Sequence, residues 1–140
     1  MSTSAIASRF FDEVFSEGRL ELVDELFATG YLGHPSGNEE LNRGPQGVKE
    51  YVAGLRRAAS DLKITIEDQI ADGDKVATRW TARGTHDGEL MGIAPTGRPV
   101  SVTGITIQHL RDCKVVEGWT DWDGMGLLKQ LGAVPGPPQR

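Results

Sequence analysis

Apolar residues recur with two different periods along the chain, and the change of period divides it into a helical part and a strand part. Near the start, Ile6, Phe10 and Val14 recur every fourth residue with Phe11 and Phe15 beside them, while Ser8, Asp12, Glu13 and Glu17 take the other face. This spacing predicts an amphipathic helix that Gly18 ends. A second helix is predicted over about Arg19 to Ala28 through Leu20, Val23, Leu26 and Phe27, closed by Thr29-Gly30, with a Gly/Asn/Pro/Ser-rich loop from Tyr31 to Gly44. Pro45 fits the first turn of a third helix, whose stripe of Val48, Tyr51, Val52 and Leu55 carries it to about Ser60. From Leu62 the period becomes two. Leu62, Ile64, Ile66 and Ile70 form one strand, and Asp72-Gly73-Asp74 turns it into a return strand bearing Val76, Thr78, Trp80 and Ala82. A Gly/Pro-rich connection from Gly84 to Arg98 precedes two strands, Val100 to Leu110 and Lys114 to Trp122, joined by a tight turn at Arg111-Asp112-Cys113. Asp123 is placed to cap a last helix that runs through Leu131.

Helices first and antiparallel strands afterwards is an α+β order and not the alternation of a parallel sheet. A curved sheet of this kind wraps the helices and leaves a pocket between the two layers, which is where ligands bind. The 140 residues, 38% apolar, fit one domain, expected over residues 1–132, with the Pro/Gly-rich tail 133–140 flexible.

Charge and composition remove several function classes. A net charge of -5 with scattered Lys and Arg argues against nucleic acid as a partner. Cys113 is the only cysteine, so there is no intrachain disulfide and no cysteine cluster for zinc; His34, His86 and His109 fall on separate elements, and no metal site is expected. The first residues lack the pattern of a signal peptide, and no apolar run is long enough to span a bilayer. The expectation is a soluble, cytoplasmic protein without membrane contact. No phosphate-binding loop, dinucleotide fingerprint or serine-nucleophile elbow occurs.

Several motifs carry a family resemblance: Gly73-Asp74-Lys75-Val76 before Arg79-Trp80; Gly84-Thr85-His86 with Gly88, Gly92 and Pro95-Thr96-Gly97-Arg98; and Trp119 and Asp123 before Gly126-Leu127-Leu128-Lys129-Gln130-Leu131-Gly132. In this order and spacing the chain resembles the SnoaL-like polyketide cyclase (ester cyclase) family, within the NTF2-like α+β cone folds. The resemblance implies an enzyme with no cofactor, acting on an aromatic polyketide or similar polycyclic carbonyl compound. In such cyclases a pocket aspartate removes a proton next to a carbonyl, the enolate closes a ring by aldol attack, and a histidine helps to hold the oxyanion. Counted without gaps, the histidine falls here on Thr106 and the aspartate on Thr120. Relatives with this fold also include hydroxylases of anthracycline biosynthesis, epoxide hydrolases and ketosteroid isomerases, and the fold serves as a non-catalytic binding module too. Fold analogy further implies a homodimer and a small hydrophobic or aromatic substrate.

If Thr120 faces the pocket, strand parity sends Val116, Gly118 and Trp122 the same way, and Val102, Gly104 and Gln108 accompany Thr106. Gly104 and Gly118 either open space for a flat ligand or mark bulges. Asp121 is the candidate general base, since a carboxylate in an apolar cavity has its pKa raised toward the useful range; it is otherwise an exposed residue near Lys114. Asp123 is a second carboxylate at the sheet end or simply a helix cap. His34 and Arg79 are candidates for steadying substrate oxygens, against a surface histidine and a structural ion pair. Trp80, Trp119 and Trp122 are candidates for stacking on a planar substrate, or for core and interface packing.

Overall fold

Six strands and four α-helices follow one another in the computed structural model, which describes residues 2–35 and 42–133. Helix α1 (Thr3–Arg9) starts at Ser2, whose hydroxyl accepts from the Ala5 amide, and continues into a π-helical turn over Phe10–Phe15. That wider turn buries Phe10, Phe11, Val14 and Phe15 together. A 3-10 turn (Leu20–Leu22) and a short α2 (Val23–Leu26) come next. The chain then enters strand β1 (Phe27–His34), where the sequence pattern suggests a helix end and a loop. Strand β1 pairs in parallel with the distant β6, a partner that no local pattern announces. The short β2 (Asn42–Arg43) leads to α3 (Gly44–Ala58), with Pro45 in its first turn as predicted.

The meander β3 (Lys63–Asp72), β4 (Lys75–Thr85), β5 (Pro99–Arg111) and β6 (Lys114–Trp122) matches the period-two pattern closely. Helix α4 (Gly124–Gln130) follows, and the Asp123 carboxylate caps it by accepting from the Gly126 amide at 2.9 Å. The sheet order is β2-β1-β6-β5-β4-β3. The π turn and α1 pack on β3, and α3 packs on β1, so the helices fill the hollow of the sheet. The predicted flexible tail lies outside the described residues from 134 onwards.

Bulges correct two parity expectations. The register of β3 on β4 slips between Ile66 and Asp68, so Gln69 turns inward to donate to Thr78 and Ile70 turns outward, 67% exposed. The register of β5 on β6 slips between His109 and Leu110, which buries Val115 in place of Val116.

The segment between β4 and β5 is tied down at both ends. The His86 amide donates to the Arg98 carbonyl, the Gly97 amide donates to the His86 carbonyl, Thr96 donates its amide to His86 Nδ1, and Asp87 and Gly88 donate to the Ala58 carbonyl at the end of α3. Ser60 donates to Asp87, and Thr85 donates to Asp61. A Cβ on Gly88 would stand 1.9 Å from the Arg57 carbonyl oxygen. Gly88→Ala is therefore expected to lower stability by about 1–3 kcal/mol through overpacking against rigid backbone, read as a fall in the urea midpoint.

Candidate functional site

A cavity of about 470 Å³ lies between the helices and the concave face of the sheet, inside the roughly 300–1,000 Å³ range of small-molecule sites. Its helical wall carries Phe10, Phe11 and Phe15 from the π turn and Tyr51 and Leu55 from α3; its sheet wall carries Trp80, Val102, Thr106, Gln108, Gly118, Thr120 and Trp122. Edge-to-face contacts stiffen the aromatic part: Phe10 on Phe27 at 5.0 Å, Phe27 on Tyr31 at 4.8 Å, and Phe15 on Tyr51 at 6.3 Å between centroids. Burial pushes the pKa values of both Tyr31 and Tyr51 upward, so their hydroxyls stay neutral donors at physiological pH.

The polar part of the wall is one short chain of hydrogen bonds. Trp80 Nε1 donates to Thr106 Oγ1 at 3.0 Å, and Thr106 Oγ1 lies 2.9 Å from Thr120 Oγ1. Thr106 is buried and already accepts from the indole; among the described residues, the other group its hydroxyl meets is Thr120. The two threonine hydroxyls share one further hydrogen bond, and with Thr106 as its donor the Thr120 proton is free to point at a guest. In an apolar chamber, a donor fixed in this way acts on a developing oxyanion with little reorganisation.

Of the residues singled out from the sequence, Thr106, Thr120, Trp80 and Trp122 come together on this wall. Gly104 and Gly118 also face inward, but the protein's own groups occupy the space they open. The Trp80 ring lies over Gly104, where a Cβ would be 2.4 Å from it, and the Tyr31 hydroxyl lies over Gly118, where a Cβ would be 2.9 Å from it.

The other candidates lie elsewhere. Asp121 is exposed on the convex face, opposite Ile105 in register, because its neighbour Thr120 points inward and no bulge intervenes. Arg79 is exposed on the same face, one row across, beside Ile105 and Asp68. Trp119 is also on that face, with the His34 ring stacked on it at 5.2 Å and the His109 ring tilted against it at 4.7 Å. His34 borders the cavity, yet its Nε2 turns away to Glu117 Oε2 at 2.8 Å. Asp123 is spent on the α4 cap. No Asp or Glu is among the described residues lining the cavity, and no group of three or more His, Cys, Asp or Glu side chains among them is placed to hold a metal ion.

Tyr31 and Tyr51 were not singled out from the sequence. The register slip between Phe27 and Leu32 means that parity along the chain does not give the face of Tyr31; its contact with Phe27 is set by the folded strand, which Gly30 and Gly33 disguise in the sequence. No helix among the described residues is long and apolar enough to cross a membrane.

A curved sheet closed by helices over a ligand-sized, mostly apolar chamber is the architecture of an α+β cone. Residues 5–131 match the family described as SnoaL-like polyketide cyclase, and the chain belongs to that family. It is 30% identical over 120 residues to nogalonic acid methyl ester cyclase of Streptomyces nogalater, covering 84% of this chain and 89% of the relative. It is 32% identical over 136 residues to the aklanonic acid methyl ester cyclase DnrD of Streptomyces peucetius, covering 94% and 92%. Among solved structures, IdmH, a candidate polyketide cyclase from Streptomyces antibioticus, superposes with a TM-score of 0.81 at 34% identity over 94% of this chain and 99% of that one. AclR, a candidate hydroxylase from Streptomyces galilaeus, does so with a TM-score of 0.84 at 27% identity over 98% and 89%.

Gly104→Ala should push the Trp80 indole off Thr106 and break the donor chain at its root. A loss of about 1–3 kcal/mol is expected from the overpacking, together with a changed tryptophan emission spectrum.

Proposed function

We propose that the chain closes a ring by aldol-type attack in an aromatic polyketide or comparable polycyclic carbonyl compound, without a bound cofactor, by holding the oxyanion with neutral donors. The observation that carries this reading is the Trp80–Thr106–Thr120 chain, set in a cavity walled by aromatic and aliphatic side chains. The carbon between two carbonyls is acidic enough to lose its proton to solvent hydroxide once Thr120 shares the enolate charge. That carbon then bonds to the carbon of a third carbonyl further along the same molecule, which closes the ring, and the alkoxide formed takes a proton from water and so returns the hydroxide. The two threonines stand where the resemblance places the histidine and aspartate of the cyclases, so charge stabilisation replaces the internal base.

Thr120→Val is expected to lower kcat by roughly 10²–10³-fold while substrate still binds, the usual effect of removing one oxyanion donor. Asp121→Asn, on the far face of the sheet, should leave turnover within about 2-fold. Equal turnover in Thr120→Val and the unaltered protein would sink the donor role. Likeness to AclR and the two threonines favour hydroxylation as a second reading, and mass spectrometry separates the two. Cyclisation leaves the substrate mass unchanged, or lowers it by one water if the aldol dehydrates, whereas hydroxylation, which consumes dioxygen and two electrons from a reduced substrate ring or an added reductant, adds one oxygen.

The same reading includes a homodimer formed through the convex face of the sheet. Ile105, Ile107 and Trp119 make an apolar strip there, 49%, 42% and 36% exposed, bracketed by Arg79 and Asp121. One face carrying both signs of charge can meet a copy of itself about a two-fold axis. Ile107→Glu is expected to give a monomer in sedimentation equilibrium where the unaltered chain gives a dimer.

A further inference from the structure

Gln108 of β5 is 1% exposed and lines the cavity, and its Oε1 has no hydrogen-bond partner among the described residues. An unpaired buried carbonyl of this kind costs about 1–3 kcal/mol, and a guest that donates to it relieves the cost. The terminal amide torsion of glutamine is broad, so Oε1 can turn to meet a donor at the wall with little strain.

The surroundings favour a particular kind of guest group. Across the sheet, Gln108 is in register with Gly118 of β6, and Gly118 with Gly33 of β1. Neither glycine projects a side chain, and the Tyr31 hydroxyl fills the space this leaves, 2.7 Å from where a Cβ on Gly33 would be and 2.9 Å from one on Gly118, a point 3.7 Å from Gln108 Cγ. Tyr31 and Gln108 therefore line the same end of the cavity. Burial keeps that phenol protonated, and it can therefore donate where Gln108 accepts.

We propose that Gln108 and Tyr31 form a subsite for a hydroxyl on the guest, which makes the cavity select hydroxylated polycyclic carbonyl compounds over their O-alkylated counterparts. This rests on reading the cavity as the site of such a guest. Gln108 is two residues from Thr106 on the same strand, so the recognised hydroxyl lies about 7 Å from the oxygen held at the donor chain.

The test is the binding of 2-hydroxyanthraquinone and 2-methoxyanthraquinone to the full chain, followed by tryptophan fluorescence at a pH that keeps the probe phenol protonated. The hydroxy compound is expected to bind ~10-fold or more tightly than the methoxy compound, the equivalent of one relieved acceptor. Gln108→Met should reduce that ratio to within ~2-fold without weakening the methoxy compound. Gln108→Leu should lower the ratio likewise, which keeps the test open if Gln108→Met does not fold, whereas Tyr31→Phe should weaken both probes because a hydroxyl and a methoxy oxygen each accept from the phenol. Equal binding of the two probes to the unaltered chain, or a ratio that survives the Gln108 substitutions, overturns the subsite and leaves the cavity reading intact. Failure of both probes to bind overturns the cavity reading and the subsite with it.

Discussion

Strand parity is the constraint on which the rest of this structure depends. In a regular strand, adjacent side chains face opposite sides of the sheet, so each residue of β5 and β6 belongs either to the chamber or to the convex face. The pairing of Thr106 with Thr120 puts two hydroxyls on the inner face, and it sends Asp121 outward as surely as it brings Thr120 in. Bulges are the only local device that changes the assignment. Those present lie at Ile66/Asp68 in β3, Phe27/Leu32 in β1 and His109/Leu110 in β5, away from Asp121.

The helical layer gives the sheet something to curve around without filling the hollow. The π turn brings three phenylalanines to the cavity wall, while Phe27 and Phe15 brace Tyr31 and Tyr51 edge-on. Wide π turns of this kind are often found beside functional sites. The aromatic wall keeps the chamber mostly apolar, and low local polarity is what gives the few hydrogen bonds inside their weight.

The chemistry proposed for this wall differs in kind from that of a carboxylate base. A buried carboxylate titrates and can take up a proton; a hydroxyl polarised through an indole and a second hydroxyl does not titrate in the same range, and it stabilises charge without moving it. Family membership settles the architecture and the class of protein. The inner residues that differ from the cyclase pair, Thr106 and Thr120, are those on which the proposed mechanism turns.

The helices with strong stripes, the β3–β4 hairpin, the last two strands and the Asp123 cap were legible in the sequence because each follows from local periodicity or turn chemistry. So was the grouping of Thr106, Gln108 and Thr120, which needs parity alone. Strand β1 was not legible, because its pairing with β6 is parallel and far apart in sequence, and its glycines read as a loop. The roles of Gly104 and Gly118 were hidden for a related reason: a missing Cβ shows that space exists, while only the folded chain shows that Trp80 and Tyr31 occupy it. By itself, then, the sequence determined the order of elements and the face to which most strand residues belong, both being properties of neighbours along the chain. Tertiary structure alone decided which groups meet inside the chamber, because contacts such as Tyr31 over Gly118 join residues that only the closed sheet brings together.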